Sequence, residues 1–407
     1  MRLLLAIHNA YTDHTSGAAR SVRTIVEWLA AAGHDCRVVS TTRFDRASAP
    51  IDFAEHLARS GVAAEHIPPD SWHDGLFRYL LADVPVLAQQ TRHHDSSAPD
   101  EAEARAFLRL LTAEMADLRP DIVLSYGGHP VLQIALRLAR ATGAATVFTL
   151  RNYGYEDMRW FEHVSSVLTN SPFLRRHYLD AIGVDSVALP SPIDLATTLW
   201  DDPATRGFVT FVNPALHKGA AMFARLADML GRRRPDIPLL IVQSADDART
   251  LANIEGLDLG RYPQILASPA LPEPRQIFAL AKILLVPSFF PEPFGRVAAE
   301  ALVNGVPPIV SDRGALPETV AEGGIVLPIP GGTPEAIRAV PPEALVEPWF
   351  DAVTRLWDDA DAYEAASAAA RSAGARLYGE AAMRARYDAY FTEVAALAHV
   401  DSPPVET

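Results

Sequence analysis

The sequence has only one cysteine, Cys36, so the chain can form no internal disulfide. Cys36 opens the apolar stretch Cys36–Ser40, which predicts a packed strand residue rather than a nucleophile. No run approaches the roughly 18 uncharged apolar residues that a membrane-spanning helix needs. The first apolar run stops at His8 and Asn9, without the cleavage pattern of a signal peptide. These absences predict a soluble, cytoplasmic protein with no stable membrane insertion.

Positive charge is also scarce. The 36 Lys and Arg residues face 50 Asp and Glu residues, which gives a net charge of −14. Nucleic acids and anionic membranes are held by basic surfaces, so this balance disfavours both, and we expect no nucleic-acid partner. Lysine is nearly missing, because Lys218 and Lys282 are the only two. A local basic site is compatible with this charge, and each lysine is a candidate for function.

The length of 407 residues fits two α/β domains of roughly 200 residues each. Two distant stretches follow one scheme of apolar strand, glycine-containing loop, amphipathic helix and second strand, which opens a dinucleotide-type fold. The first comprises a strand at Arg2–Ile7, the loop through Ser16-Gly17, a helix to about Ala32 and a strand at Cys36–Ser40. The second comprises a strand at Phe208–Val212, the loop Asn213–Gly219, a helix to about Leu230 and a strand at Ile237–Val242. Two such openings predict two separate parallel sheets.

Further parallel strands are predicted from short apolar runs at Asp121–Leu124, Thr146–Leu150, Ile283–Val286 and Pro308–Val310. Pro190 and Pro192 stiffen the crossing into the second domain. The segment His66–Glu103 is rich in polar residues, and we expect it to be a loop-rich insertion. Its histidines, including His73, His93 and His94, lack the spaced acidic or cysteine partners of a metal site, so we expect no metal.

The sharpest signal is the segment Pro291–Gly305, which follows an apolar strand. Pro293 and Gly295 predict a tight turn, after which good helix formers run to Gly305. The start of a helix offers unpaired N–H groups and a partial positive charge, which suits a diphosphate. Glu292 and Glu300 flank this start. Two carboxylates are unexpected beside an anion site, unless they bind hydroxyl groups on either side of the diphosphate.

Lys218 precedes Gly219 at the start of another predicted helix, so its ammonium group would reach the same anion. Three alternatives are structural. In the first, Glu300 has no role beyond an i, i+4 salt bridge with Arg296 on a solvated helix. In the second, Ser16-Gly17 is a helix cap and binds no ligand. In the third, Lys218 is an ordinary surface lysine.

Glu292 and Glu300 form an E-x7-E motif, and the segment around them resembles that of family 4 retaining glycosyltransferases of the GT-B fold. The similarity extends to Ser16–Arg20, Asn213–Gly219, Ser311–Glu318 and the closing helices, and so covers nearly the full chain. It implies two Rossmann-like α/β domains whose parallel sheets face an interdomain cleft. The implied domains are residues 1–190, with a C-terminal helix at about 380–397 packing back, and residues 196–378.

The resemblance also implies roles for individual residues. Glu292 would contact the donor sugar, Glu300 the ribose, and Lys218 the donor diphosphate. The segment Phe294, Gly295, Arg296 and Val297 would give backbone amides to phosphate. Gly17 would give an amide near the donor phosphate or the acceptor. The implied reaction moves a hexosyl group from a nucleotide-diphosphate sugar to an acceptor hydroxyl with retention, without metal or cofactor.

Two positions depart from the family pattern. Family members commonly have a basic residue five positions before the lysine, and here it is Asn213. Either Arg296 or Arg20 compensates for that cation, or the donor chemistry is weaker. A family histidine near the reacting sugar is replaced here by Arg151, which cannot be a general base at neutral pH. His129 is a candidate to stand in for that histidine, or a structural residue.

The acceptor, which we expect the N-terminal domain to bind, is a natural-product scaffold, a saccharide or a lipid-linked sugar. Two other functions stay open on this frame. One is a nucleotide-sugar hydrolase or epimerase, because the fold does not determine the reaction. The other is a catalytically silent subunit that binds nucleotide sugars, which the departures at Asn213 and Arg151 favour.

Overall fold

The computed structural model describes residues 1–14, 16–45, 51–92, 99–243, 254, 256–271, 273–331, 333 and 337–400, the last three by their backbone alone. The chain divides into two compact units. Unit 1 contains residues 1–170, 175–192 and the C-terminal segment from Ala381 onward. Unit 2 contains residues 171–174 and 193–380.

Unit 1 is built on a nine-stranded sheet with the order β3-β4-β5-β2-β1-β6-β7-β8-β9. The strands are β1 (Arg2–Ala6), β2 (Asp35–Thr41), β3 (Ala64–Ile67), β4 (Leu76–Leu81), β5 (Val84–Gln89), β6 (Ile122–Ser125), β7 (Ala145–Leu150), β8 (Ser166–Thr169) and β9 (Val187–Ala188). From β5 to β9 all neighbours are parallel. The inner strands are continuous apolar runs because helices cover both faces of such a sheet.

The expectation of a loop-rich insertion at 66–103 is wrong for residues 76–89. These residues form an antiparallel hairpin of β4 and β5, and β5 adds to the parallel part of the sheet beside β2. The two-residue turn, Ala82 and Asp83, has positive φ at both positions, 49° and 62°. Hairpin turns of this type are normally signalled by Asn-Gly or Asp-Gly. Since this one contains no glycine, the sequence carries no such signal. His93 and His94 lie outside the described residues.

The helices of unit 1 are α1 (Gly17–Ala31), α2 (Phe53–Arg59), α3 (Glu101–Leu118) and α4 (Pro130–Ala141), and α5 (Pro172–Ile182) begins in unit 2. The C-terminal helix Glu380–Val400 inserts Met383, Tyr387 and Phe391 into the main core of unit 1. The Tyr387 hydroxyl donates to the carbonyl oxygen of Pro190 at 2.7 Å. The C-terminal helix is therefore part of the N-terminal unit's core.

Unit 2 holds a six-stranded sheet with the order β12-β11-β10-β13-β14-β15, in which all recorded pairs are parallel. Its strands are β10 (Phe208–Val212), β11 (Leu239–Val242), β12 (Ile265–Ser268), β13 (Ala281–Val286), β14 (Pro308–Ser311) and β15 (Ile325–Leu327). Its helices are α6 (Leu195–Thr198), α7 (Ala220–Arg233), α8 (Pro274–Phe278), α9 (Arg296–Val303), α10 (Leu316–Val320), α11 (Glu343–Asp358) and α12 (Ala360–Tyr378). This order brings the loops after β10, β13 and β14 to one edge.

Cys36 is buried in β2, so the prediction of a packed strand residue is confirmed, and burial raises the pKa of its thiol to about 12. Within the part of the chain that the structure describes, no helix is long and apolar enough to cross a bilayer.

Candidate functional site

The loops that follow the neighbouring strands β10 and β13 place Lys218 against Glu292. The Lys218 Nζ donates to the Glu292 Oε1 at 2.6 Å. The side chain of Lys218 is 26% exposed, whereas that of Glu292 is 10% exposed. Lys218 also lies over the ring of Phe290, with Nζ 5.4 Å from the ring centroid. The ammonium group is thus held at the carboxyl edge of the sheet and is still accessible to a ligand.

The two loops are joined through their backbones. The carbonyl oxygen of His217 accepts hydrogen bonds from the N–H groups of Phe289 and Phe290, both at 3.0 Å. Gly219 has φ of 95°, and a Cβ there would overlap the carbonyl oxygen of Pro287. Only glycine permits this approach. The contact between Lys218 and Glu292 therefore rests on a close and specific approach of two backbone segments.

The predicted helix near Gly295 is present as α9, with Gly295 at the N-cap in a left-handed conformation. A Cβ at Gly295 would overlap the side chain of Leu316. The first N–H groups of a helix have no partner within it, and they carry a partial positive charge. The turn presents these amides, from Gly295 to Val297, immediately after Glu292.

Arg296 and Glu300 form the i, i+4 ion pair, with Nε 2.7 Å from Oε1. The pair is not on a solvated helix, because Glu300 is only 4% exposed. Burying an ion pair is costly, so exposed pairs of this kind are far more common. A carboxylate held here at the second turn of α9 has a more specific setting than a surface salt bridge requires.

The other residues expected to bind the donor are placed differently. The side chain of Phe294 is buried in a hydrophobic core and meets Tyr378 edge-on, and Val297 packs partly against the same core. The side chain of Phe294 is therefore not available to a ligand, and its predicted contact would come from its backbone. Asn213 adopts φ of 62°, and its Oδ1 is buried without a hydrogen-bond partner among the described residues. Its side chain supplies an amide at the position where family members commonly have a basic residue.

The loop after β14 supplies a residue that the sequence analysis did not assign to the site. Gly314 has φ of 63°, and a Cβ there would overlap the backbone N and O atoms of Glu292. The Ala315 N–H donates to the Glu292 carbonyl oxygen at 2.8 Å. This loop therefore holds the backbone of Glu292 in place. The sequence signal that could have identified Gly314 is its position in a short polar turn, Asp312–Gly314, directly after the apolar strand β14.

His129, a predicted sugar-proximal residue, belongs to unit 1. It occupies the N-cap of α4 without a side-chain capping bond, and its ring centroid is 4.9 Å from that of His8. Burial, with the nearby charge of Arg43, lowers the pKa of His129. Burial and the neighbouring His129 and Arg43 lower the pKa of His8 to about 3. Burial thus favours the uncharged form of both rings.

Gly17 and Arg151 also belong to unit 1. Gly17 is the exposed first residue of α1, and Ser16 before it makes no side-chain capping bond. Arg20 lies in the first turn of the same helix. Arg151 follows β7 directly and is buried, with Nη1 donating to the Ser191 hydroxyl at 3.0 Å.

Across the described ranges, no group of three or more His, Cys, Asp or Glu residues is arranged to hold a metal ion. His66 is paired with Gln90, at 3.1 Å between the ring Nε2 and Oε1, and His73 lies 3.8 Å from Asp70. Asp359 caps α12 by accepting from the Ala362 N–H at 2.9 Å. These polar side chains have structural partners.

Solved structures share this two-unit architecture. A sucrose-phosphate synthase from Thermosynechococcus elongatus matches 98% of this chain and 100% of its own, with a TM-score of 0.67 and 18% identity. HepE from Anabaena, in complex with UDP-glucose, matches 97% of this chain and 100% of its own, with a TM-score of 0.66 and 13% identity. At such low identity the likeness concerns the fold, which is the GT-B fold.

The sequence comparisons define the family. The model described as Glycosyltransferase Family 4 matches residues 15–197, and the model described as Glycosyl transferases group 1 matches residues 202–347. The D-inositol 3-phosphate glycosyltransferase of Paenarthrobacter aurescens (strain TC1) is 30% identical over 153 residues, 36% of this chain. That match spans 34% of the relative's length. The chain belongs to the family 4 glycosyltransferases.

Proposed function

We propose that the chain transfers a hexosyl group from a nucleotide-diphosphate sugar to an acceptor hydroxyl, with retention of anomeric configuration. The observation that carries this proposal is the grouping of Lys218, Glu292 and the start of α9 at one sheet edge of unit 2. A pyrophosphate needs positive potential from more than one direction. An accessible ammonium group and a helix start supply that potential without any bound cation.

Lys218 and the α9 amides would act mainly as electrostatic catalysts. As the bond between the anomeric carbon and the phosphate oxygen breaks, negative charge grows on the departing diphosphate. Groups that already point at that charge lower the barrier without reorganising. The pairing with Glu292 would hold the ammonium group in position before the donor binds. Glu292 would then accept hydrogen bonds from sugar hydroxyls, and Glu300 from the ribose.

Retention would follow from attack on the face that the diphosphate leaves. Double displacement needs a carboxylate free to bond to the anomeric carbon. Glu292 instead accepts a hydrogen bond from Lys218, and Glu300 accepts one from Arg296. In front-face transfer, the acceptor oxygen bonds to the anomeric carbon and its proton passes to the departing phosphate oxygen. This route requires no metal ion and no organic cofactor.

Unit 1 would bind the acceptor, because in open α/β sheets ligands bind beyond the carboxyl ends of the strands. Gly17, His129 and Arg151 follow such strand ends. The acceptor class is a saccharide, a natural-product scaffold or a lipid-linked sugar.

Product analysis tests the proposal. The protein is incubated with UDP-, GDP- and ADP-sugars, with EDTA present, with and without an acceptor panel. We expect nucleoside diphosphate release that depends on an acceptor, and a product whose anomeric proton shows the donor's configuration by NMR. Release of free sugar regardless of acceptor would identify a hydrolase, and an altered donor sugar an epimerase. Calorimetric binding without any turnover would identify a silent binding subunit.

A further inference from the structure

Buried polar atoms without partners collect at the carboxyl edge of the unit 1 sheet. The strands β1, β6, β7 and β8 are neighbours in that order. Among the described residues, side chains just beyond or at the ends of these strands carry buried nitrogen or oxygen atoms that make no hydrogen bond. They are both ring nitrogens of His8, the hydroxyls of Tyr126 and Thr149, Nε and Nη2 of Arg151, and Oδ1 of Asn170. Buried polar atoms are normally paired, so such a group at one sheet edge indicates a ligand site.

Arg151 carries the charge of this group. It is 8% exposed, and its one hydrogen bond among described residues is to the neutral Ser191 hydroxyl. It forms no ion pair with a described carboxylate. A buried charge without a partner of opposite sign is strongly unfavourable, and proteins normally pair it. The buried guanidinium group of Arg151 therefore indicates a ligand that supplies the negative charge.

The unpartnered nitrogens specify the kind of anion. In a guanidinium group, Nε–H and Nη2–H are parallel and lie along one edge. That edge matches two oxygens of a carboxylate or phosphate and binds them with two hydrogen bonds. The hydrogen bond from Nη1 to Ser191 fixes the orientation of the guanidinium group. The edge formed by Nε and Nη2 has no partner among the described residues.

We propose that Arg151 binds a carboxylate or phosphate group carried by a substrate at the unit 1 sheet edge, and so makes the enzyme selective for an anionic substrate. This inference rests on the proposed function for the identity of the substrates. The donor diphosphate is not the anion meant here, because Lys218 and α9 in unit 2 are assigned to it. The anion belongs to the acceptor or to a donor sugar that bears a carboxylate. Tyr126 and Asn170, at the ends of strands β6 and β8 on either side of β7, offer further polar contacts.

Calorimetry on the full chain tests the proposal. Inorganic phosphate and D-glucuronate are titrated with saturating UDP present, so that the diphosphate site is filled. D-glucose is the neutral probe. The variants are Arg151→Met, Arg151→Lys and the control Arg137→Met, which removes an exposed arginine of α4 in the same unit. We expect both anions to bind the native chain and Arg137→Met, and to bind Arg151→Met at least tenfold more weakly. Arg151→Lys keeps the charge without the fork and should be intermediate.

Two further measurements are needed. One shows whether the donor sugar or the acceptor carries the anion, and the other distinguishes anion binding by Arg151 from a role in stabilising the fold. If the donor sugar carries the anion, UDP-glucuronate binds the native chain more tightly than UDP-glucose, and Arg151→Met loses that preference. If the acceptor carries it, both donors bind both proteins alike while free phosphate or glucuronate binding is still lost. Removing an unpaired buried charge should also leave the melting temperature of ligand-free Arg151→Met unchanged or higher. Equal anion binding by native and Arg151→Met proteins would overturn the proposal, as would a lowered melting temperature with anion binding intact. If UDP binding were normal in that experiment, the proposed donor site of unit 2 would still stand.

Discussion

The Nζ of Lys218 lies 2.6 Å from the Oε1 of Glu292, although 73 residues separate them in the sequence. Both follow parallel strands that are neighbours in the unit 2 sheet, β10 and β13. Gly219 permits the close approach of their loops, and Gly314 holds the backbone of Glu292 from a third loop. This contact joins the loops at the proposed diphosphate site.

Replacing either partner should reduce turnover. We expect Lys218→Ala or Glu292→Gln to lower turnover at least tenfold, a loss of about 1.4 kcal/mol of transition-state stabilisation. The fold should persist, because the Lys218 side chain is partly exposed. Nucleoside diphosphate release measures turnover, and circular dichroism checks the fold.

The control is the other lysine. Lys282 Nζ lies 4.4 Å from the ring centroid of Trp357 and 5.0 Å from that of Tyr363, a structural setting. Lys282→Met keeps an apolar stem between the rings and should leave turnover near the native value. Near-native turnover in both Lys218→Ala and Glu292→Gln would contradict the assignment of the site.

Gly314→Ala should displace Glu292. The new Cβ would overlap the backbone of Glu292, and the left-handed conformation costs a non-glycine residue about 1–2 kcal/mol. We expect a lower melting temperature together with at least a tenfold loss of turnover. Gly256→Ala is the matched control, since Gly256 also has a left-handed conformation, with φ of 82°, and a Cβ there meets no atom within 4 Å. Unchanged turnover in a destabilised Gly314→Ala would show that the loop supports the fold and not Glu292.

Glu300 allows a test that separates a ribose contact from a salt bridge. If Glu300 accepts hydrogen bonds from the ribose, Glu300→Gln should weaken UDP binding several-fold and leave pyrophosphate binding unchanged. Arg296→Met breaks the same ion pair but keeps the carboxylate. Titration calorimetry with both ligands compares the two variants. Equal losses for UDP in both variants would favour a purely structural ion pair.

His8 should make unit 1 less stable in mild acid. Its pKa in the folded state, about 3, is below its ordinary value of 6.5, so the unfolded chain binds more protons between these values. Stability should therefore fall as pH decreases from 6.5 towards 3, by about 2 kcal/mol from this residue at pH 5. The melting temperature of His8→Phe should fall less between pH 7 and pH 5 than that of the native chain. His66→Gln, which replaces an exposed histidine, should behave like the native chain.

Much of the fold was predictable because its signals are local. The runs of β10 and β13 and the helix after Gly295 can be recognised from apolar patterns and turn residues. The hairpin of β4 and β5 was not recognised, because Ala82 and Asp83 adopt positive φ without a glycine.

The site was predictable in part. The sequence pointed to Lys218, Glu292 and Glu300 for one donor. The role of Gly314 depends on a third loop reaching Glu292, and the unpaired edge of Arg151 depends on burial and on Ser191. Both are properties of the packed chain, and no sequence pattern encodes them alone.

A crystal structure of the chain with bound UDP tests the central claim most directly. We predict that diphosphate oxygens lie within hydrogen-bond distance of the Lys218 Nζ and of backbone amides between Gly295 and Val297, with Glu300 at the ribose hydroxyls. A nucleotide bound elsewhere, with Lys218 and the start of α9 making no contact to phosphate, would contradict the account.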